Sequence, residues 1–422
     1  MIEKILNFWK KFKIRLLFFL AVIGPGIITA VADNDAGGVA TYTVAASLYG
    51  MASKFLFIPE TLLLALTQEI GARIAIVAKK GLGDLIRERY GIKVSLLIFI
   101  LYFITNQGVV LQNISGLKAS LQLFDLPWQI LLILICIFLI FIVVNFNYKK
   151  LQRIFLFMIF FYLAYIISAF ISHPNWKEAI TESMIWPQKV DISNLTFWFS
   201  RIAVLGTTIT AWGQFFVHSY IIDKNLSVNH LKAEKIEVYL GAFITNFISW
   251  MMAVAVTYTL FVNNIKVTDG LTAALAMKPL AGELSTILFS IGLFGASILG
   301  LTIVPLATAY VFSEMFGYEG SLDADFKKGK FFYTFFIVQI LIGLLITLFP
   351  NTSLFQLTLY ADFLNGAMLP IIFYFLIKFS EDKEIMGQYV SSGFTSFFVR
   401  LSGVIITFAV IVTFIGKILH IV

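Results

Sequence analysis

From its N-terminus onward the chain alternates between long apolar runs and short polar connections, many of them basic. Apolar runs of about 20 residues, the length that crosses the hydrocarbon core of a bilayer as a helix, lie near 16–48, 55–78, 95–123, 127–147, 151–172, 197–222, 236–263, 282–316, 331–349, 355–378 and 394–420. These eleven runs predict an all-α integral membrane protein. Two of them are interrupted. The stretch VADNDAGGVATY, residues 31–42, places two aspartates, an asparagine and two glycines inside the first run, and TTITAWGQ, residues 207–214, places polar groups and a glycine inside the sixth.

Lipid cannot hydrogen-bond a free backbone, so a non-helical chain at membrane depth persists only where it lines a cavity or is covered by protein. Gly37-Gly38 predicts the first break itself, because two residues without side chains loosen the helix. The carbonyls just before it, around Ala32 and Asp33, are then expected to be unpaired and to face a cation at the negative end of a half-helix. The two breaks are five spans apart. That spacing predicts two inverted five-helix repeats, about 14–172 and about 197–378, each opening on a broken helix at the midplane, with one further helix at about 394–420.

Composition agrees: of 422 residues, 59% are hydrophobic and 13% charged, against roughly 45–50% and 25% in soluble domains. The net charge of +7 reads as topology. With the N-terminus in the cytoplasm, Lys4, Lys10, Lys11, Lys13 and Arg15 fall inside, as do Lys79, Lys80, Arg87, Arg89 and Lys93 in the next inner loop and most of the remaining Lys and Arg of the 31 in the chain. This places the protein in the cytoplasmic membrane and leaves no need for a nucleic-acid partner. Ala30-Val31-Ala32 has the form of a signal-peptide cleavage site, but Gly24-Pro25-Gly26 interrupts the apolar region and ten further spans follow, so the segment is read as an uncleaved first span. Cys136 is the single cysteine and can form no disulfide within the chain. The four histidines, His173, His218, His230 and His420, lack ligand spacing, and there is no phosphate loop, HExxH or nucleophile elbow. Neither an enzyme nor a bound cofactor is expected.

Gly24-Pro25-Gly26, then eight residues, then Asp35-Ala36-Gly37-Gly38 followed by Ala40-Thr41 resembles the first-helix motif of the NRAMP divalent-metal transporters, in which GPG leads to DPGN and AT. Gln68, Ala72-Arg73, Gly81 and Leu85 through Arg87-Glu88-Arg89-Tyr90 resemble that family's second helix and inner loop, His218-Ser219 the end of its sixth helix, and Leu369-Pro370 its tenth. In the family, metal is held by the Asp and Asn of DPGN, by a Met and a backbone carbonyl of helix six and, in some members, by a Gln of helix ten. Here the resemblance keeps Asp35 but puts Gly38 at the Asn, Ala211 at the Met, Thr208 at the carbonyl and Asp362 at the Gln. The absence of the methionine is similar to the branch of NRAMP-related magnesium transporters. Chemistry favours the same branch: a thioether selects soft transition metals, while carboxylates, carbonyls and water suit magnesium and manganese. Gly38, Ala211 and Gly213, each smaller than the family residue, are expected to enlarge the cavity for a partly hydrated ion, as magnesium prefers.

The expected metal site is thus Asp35, Ala32, Gly38, Thr208, Ala211, Gln214 and Asp362. Plainer roles exist for several of these. Asp35 could be a helix cap at the break, Asp362 a salt-bridge or proton-relay group, and Gln214 a partner for freed backbone. Trp212 reads as packing, Asp33 as a vestibule residue on the opposite side of a regular helix from Asp35, and Asn34, His218 and Asn246 as local hydrogen bonders. Helix three offers Val109 and Gln112 where proton-coupled relatives carry acids, and no Asp or Glu occurs from Val94 to Phe124, so transport is expected to run without proton coupling. The resulting expectation is a monomeric secondary transporter in a lipid bilayer that imports divalent metal ions, magnesium first and manganese second, by alternating access. An amino-acid-type carrier of the same architecture and a transport-silent receptor or scaffold are the alternatives.

Overall fold

The computed structural model describes residues 24–191, 193–267, 270–348 and 358–418. The first span is a broken pair, α1 (Pro25–Ala32) and α2 (Ala36–Tyr49). Spans two to five are α3 (Phe57–Ala78), α4 (Leu82–Leu123), α5 (Trp128–Asn145) and α6 (Tyr148–Ile171). The sixth is the second broken pair, α7 (Leu195–Thr208) and α8 (Ala211–Asp223). Then follow α9 (Val228–Phe261), α10 (Gly270–Phe316), α11 (Lys330–Leu348), α12 (Thr358–Ser380) and α13 (Gly393–Ile418). Among the described residues, nine helices are long and apolar enough to cross a membrane, and the two broken pairs complete the eleven spans that hydropathy predicts. The described residues are helices and connections, without a strand.

Two boundaries differ from those expected of the sequence. The expected inner loop at 79–93 is largely helical, because Leu82, Leu85 and Ile86 form a buried apolar stripe at helical spacing. Within α4 the backbone departs from helix at Gly91, whose φ of 77° lies in the left-handed region. The eighth helix starts at Gly270, ahead of the apolar run expected from 282. Lys4 through Arg15, the part of the first run before Gly24, and His420 lie outside the described residues.

The connections between spans two and three, four and five, six and seven, eight and nine, and ten and eleven share one end of the bundle, and hydrogen bonds tie them to each other. Arg73 near the end of α3 donates to the Tyr389 carbonyl and, at 2.9 Å, to Ser391; Arg89 pairs with Asp382 (3.2 Å) and Glu384 (2.9 Å). Lys79 donates to the Leu226 carbonyl. Asp223 accepts from Tyr310 and from Leu322 N–H at 2.9 Å, and Asp323 accepts Tyr148 N–H at 3.0 Å. This clustering of cations at one face is what positive-inside sorting requires.

Packing partners exchange under a shift of five spans. Span one packs on seven as six packs on two, five on eight as ten on three, five on seven as ten on two, and one on three as six on eight, while three–eight and two–seven map onto themselves. Two inverted five-span repeats produce this reciprocity. It brings α1–α2 and α7–α8 to the centre, enclosed by α4, α9, α10 and α12.

The closest backbone approach beside that centre is where α7 crosses α12. A methyl group on Gly206 would stand 2.0 Å from the Asp362 carbonyl oxygen and 2.5 Å from Gly366 N; one on Gly366 would stand 2.8 Å from the Ile202 carbonyl. Small residues let membrane helices meet this closely. Gly206→Ala is therefore expected to destabilise the fold by about 1–3 kcal/mol, the usual range for overpacking. The readout is a lower thermal midpoint in detergent, with Gly393→Ala, which meets nothing within 4 Å, as the unchanged control.

Candidate metal site at the two helix breaks

The first break falls at Asp33-Asn34-Asp35, three residues ahead of the expected glycines, which lie within α2. A turn makes the break. Asn34 N–H donates to the Val31 carbonyl at 3.0 Å and Asp35 N–H to the Ala32 carbonyl at 3.1 Å, so the Ala32 carbonyl, expected to be unpaired, already holds one donor. Asp35 then caps α2, its Oδ1 accepting Gly38 N–H at 2.9 Å. The second break follows the same design: α7 stops at Thr208, and Thr210 caps α8 by accepting Gly213 N–H at 3.0 Å. In both cases the capping side chain serves the third N–H of the half-helix that follows.

At each break one further N–H finds a side chain from another span. Asn113 on α4 accepts Ala36 N–H through Oδ1 (3.0 Å) and donates through Nδ2 to Asp35 Oδ2 (2.7 Å). Asn365 on α12 accepts Ala211 N–H at 3.3 Å. The breaks are also joined directly: Thr210 Oγ1 donates to Asp33 Oδ1 at 2.6 Å, and Tyr42 hydroxyl meets Thr208 Oγ1 at 3.0 Å. Thr41 donates to Asp362 Oδ2 at 2.5 Å, which brings the helix-ten carboxylate against α2. Three carboxylates, Asp33, Asp35 and Asp362, thus converge on the breaks with 1%, 3% and 2% of their surface exposed.

The seven expected site residues fare differently. Asp35, Thr208, Ala211 and Asp362 are buried around the two breaks, linked as above, and Asp35 does cap the helix that follows it. The Thr208 hydroxyl is taken up by the Val204 carbonyl (2.8 Å) and Tyr42. Gln214 is fully buried with neither amide atom hydrogen-bonded, so it does not satisfy freed backbone. Ala32 turns its carbonyl into the local turn. Gly38 and Gly213 do not enlarge a cavity as expected. A methyl group on Gly38 would stand 2.8 Å from the Asp33 carbonyl and 3.0 Å from Thr207 Oγ1, and one on Gly213 would stand 2.7 Å from Thr210 Oγ1 and 2.9 Å from Asp33 Oδ1. The space beside each glycine is occupied by atoms of Asp33 and of Thr207 or Thr210. Asp33, far from being turned away, links the two breaks because the chain there is a turn and not a regular helix.

The other polar and aromatic candidates take structural roles. Asn34 donates to Thr245 Oγ1 at 2.7 Å, His218 Nδ1 lies 2.9 Å from the Gln214 carbonyl, and Trp212 is fully buried near Phe216. On helix three, Gln112 donates to the Thr358 carbonyl at 3.1 Å. Sequence pattern missed Thr210, Asn113 and Thr41, and it missed a buried ion cluster: Glu60 receives Arg201 at 2.7 Å and has Lys54 at 3.6 Å, with Lys54 Nζ 4.5 Å from the centroid of the Tyr42 ring. Among the described residues no three His, Cys, Asp or Glu side chains form an all-protein metal cage. An ion here would complete its shell with hydroxyls, carbonyls and its own water, as hard cations do.

A family model described as "Nramp: Natural resistance-associated macrophage protein-like" matches residues 26–416. The chain is 24% identical over 393 residues, 88% of its length and 86% of the relative's, to the divalent metal cation transporter MntH of Staphylococcus haemolyticus, and 21% identical over 411 residues, 94% and 87% of the two lengths, to the MntH of Brucella suis. Its structure resembles a crystal structure of a variant of the Eremococcus coleocola manganese transporter with a TM-score of 0.72 at 15% identity, covering 95% of this chain and 88% of that one. The relatives so named are transporters and not enzymes. With a match that runs from the first half-helix into the eleventh span, the chain belongs to the Nramp family.

Proposed function

We propose that the protein moves divalent metal cations across the membrane by alternating access around the two breaks, with magnesium preferred to manganese and without proton coupling. One observation carries the reading: a buried carboxylate, Asp35, stands at the meeting point of two broken helices, and Ala211, the first residue of α8, offers no sulfur. An intramembrane carboxylate is costly and is kept where it serves transport. Oxygen donors alone make a hard site. Relatives named for divalent metal cations and for manganese support the cation class, and magnesium ahead of manganese rests on the missing thioether. Asp35 and Asp362 are proposed to face the ion, with Ala32, Gly38, Thr208, Ala211 and Gln214 lining its place.

The absence of coupling is supported by helix three, whose buried polar residues beside the breaks are the amides Gln112 and Asn113. A proton relay needs titratable groups in series.

Purified protein in liposomes loaded with a magnesium-sensitive dye tests the reading. Wild type is expected to admit magnesium, and Asp35→Ala to lose at least about tenfold of that influx while remaining monodisperse, since even groups that only support a ligand are worth about that much. Equal influx in the two proteins removes Asp35 from the mechanism; no wild-type flux of magnesium or manganese overturns the proposal.

Selectivity is tested by calorimetry. Wild type should bind cadmium poorly, and Ala211→Met should tighten cadmium roughly tenfold while slowing magnesium, because a thioether is a soft ligand that also fills space. Strong cadmium binding by the wild type contradicts a hard site.

With a pH dye in the same vesicles, magnesium influx should leave the lumenal pH unchanged. Its rate should follow the membrane potential at about 2.3 kcal/mol per charge per 100 mV. Magnesium-dependent acidification above empty-vesicle controls argues for coupling, with His218 and Asp362 as the groups to mutate next.

A further inference from the structure

Asp33 and Asp35 are two residues apart at the same break but in opposite electrostatic settings. Asp35 sits at the N-terminus of α2, where backbone N–H dipoles favour an anion, and both its oxygens are already held, by Gly38 N–H and by the Asn113 amide. Asp33 is the C-terminal cap of α1, in helical geometry at φ −60° and ψ −20°, where the dipole disfavours an anion. It is 1% exposed, its Oδ1 accepts the Thr210 hydroxyl at 2.6 Å, and its Oδ2 is buried with no hydrogen-bond partner. A carboxylate placed there without a cation is short of compensation twice over, once for its solvation and once for its end of the helix.

We infer that Asp33 is a further carboxylate ligand of the transported cation, taking the ion, or one of its waters, through Oδ2. This rests on the reading of the chain as a divalent-cation transporter. Two features hold the carboxylate in place for that role. Thr210 accepts Gly213 N–H through its hydroxyl oxygen, which leaves its single proton for Asp33 Oδ1 and fixes the carboxylate from the opposite break. Gly213 permits this close approach: any side chain there begins with a carbon 2.7 Å from Thr210 Oγ1 and 2.9 Å from Asp33 Oδ1. Gln214 adds an amide with no internal partner one turn into the same half-helix, suited to a water of the ion's shell. Asp33 then adds its charge beside Asp35 at the ion, and through Thr210 the sixth span holds that ligand in place.

Calorimetric binding of magnesium and manganese to full-length wild type, Asp33→Asn and Gly213→Ala tests the assignment. Asparagine keeps an oxygen for Thr210 and removes only the charge, so a purely structural Asp33 predicts unchanged affinity. The expected result is a loss of about tenfold or more in magnesium affinity for Asp33→Asn, with an unchanged elution profile, and a several-fold loss in the same direction for Gly213→Ala. Wild type that binds magnesium alongside an Asp33→Asn variant within twofold of it overturns this assignment alone. Wild type that binds neither ion overturns the transport reading and this assignment with it. Should Asp33→Asn fail to fold, Gly213→Ala decides: wild-type affinity in that variant rejects Asp33 as a ligand.

Discussion

Every feature of the central site follows from one constraint: a backbone group released inside a membrane must find a partner within the protein, because lipid supplies none. Breaking spans one and six frees N–H groups at the starts of α2 and α8. Four of these donors are met by Asp35, Asn113, Thr210 and Asn365, and these are the residues that also define the space between the breaks. The site and the repair of its backbone are one set of side chains. This is why Asp35 is at once a helix cap and the best candidate ligand: the two roles use the same carboxylate, and an approaching cation would compete with hydrogen bonds already made.

That repair in turn demands close packing around it. Asn113 is gripped by α10, since a methyl group on Gly300 would stand 2.1 Å from its Oδ1, and one on Gly116 would stand 2.4 Å from Ala36 Cβ. On the other side, Gly206 and Gly366 let α7 and α12 approach backbone to backbone directly beside Asp362. Without solvent to drive helices together, such contacts between small residues hold the spans in register. The buried trio Lys54, Glu60 and Arg201 adds charge pairing next to Tyr42, with the Arg201 guanidinium also reaching the Ser53 carbonyl.

The spans were legible because an apolar run of about 20 residues has the length of a bilayer crossing and would be out of place on a soluble surface. The breaks were legible because polar residues inside such a run are costly and must be matched by something in the fold. What misled was the assignment of the first break to Gly37-Gly38. The spacing of Asp35 to Gly38 and of Thr210 to Gly213 is that of a cap and the N–H it accepts, a local signal that marks a helix start and was available in the sequence. The glycines answer to packing, a matter of what stands opposite. Asn113, 78 residues from Asp35, and Thr41, 321 residues from Asp362, could not be found from local pattern, because nothing near either residue announces its partner. Similarly, substituting small residues for large ones predicts an open cavity only if the surroundings stay still, and here Asp33 and Thr207 fill the space beside Gly38 and Gly213.

The carboxylate of Glu237, on α9, accepts the N–H groups of Gly24 (2.6 Å) and Ile27 (3.0 Å) at the start of α1. An isolated helix of eight residues is well below the length that sustains itself in water. Methyl groups on Gly26 and Gly241 would press on the facing backbone of α9 and α1 at 3.2 and 3.0 Å, so the two segments also lie flush. Covalently α1 continues into α2, but mechanically it is a splint on α9. A displacement of the seventh span would carry the first half of span one with it and, because Asn34 is also bound to Thr245 on α9, the movement would have to be absorbed past Asn34, at Asp35 where α2 begins.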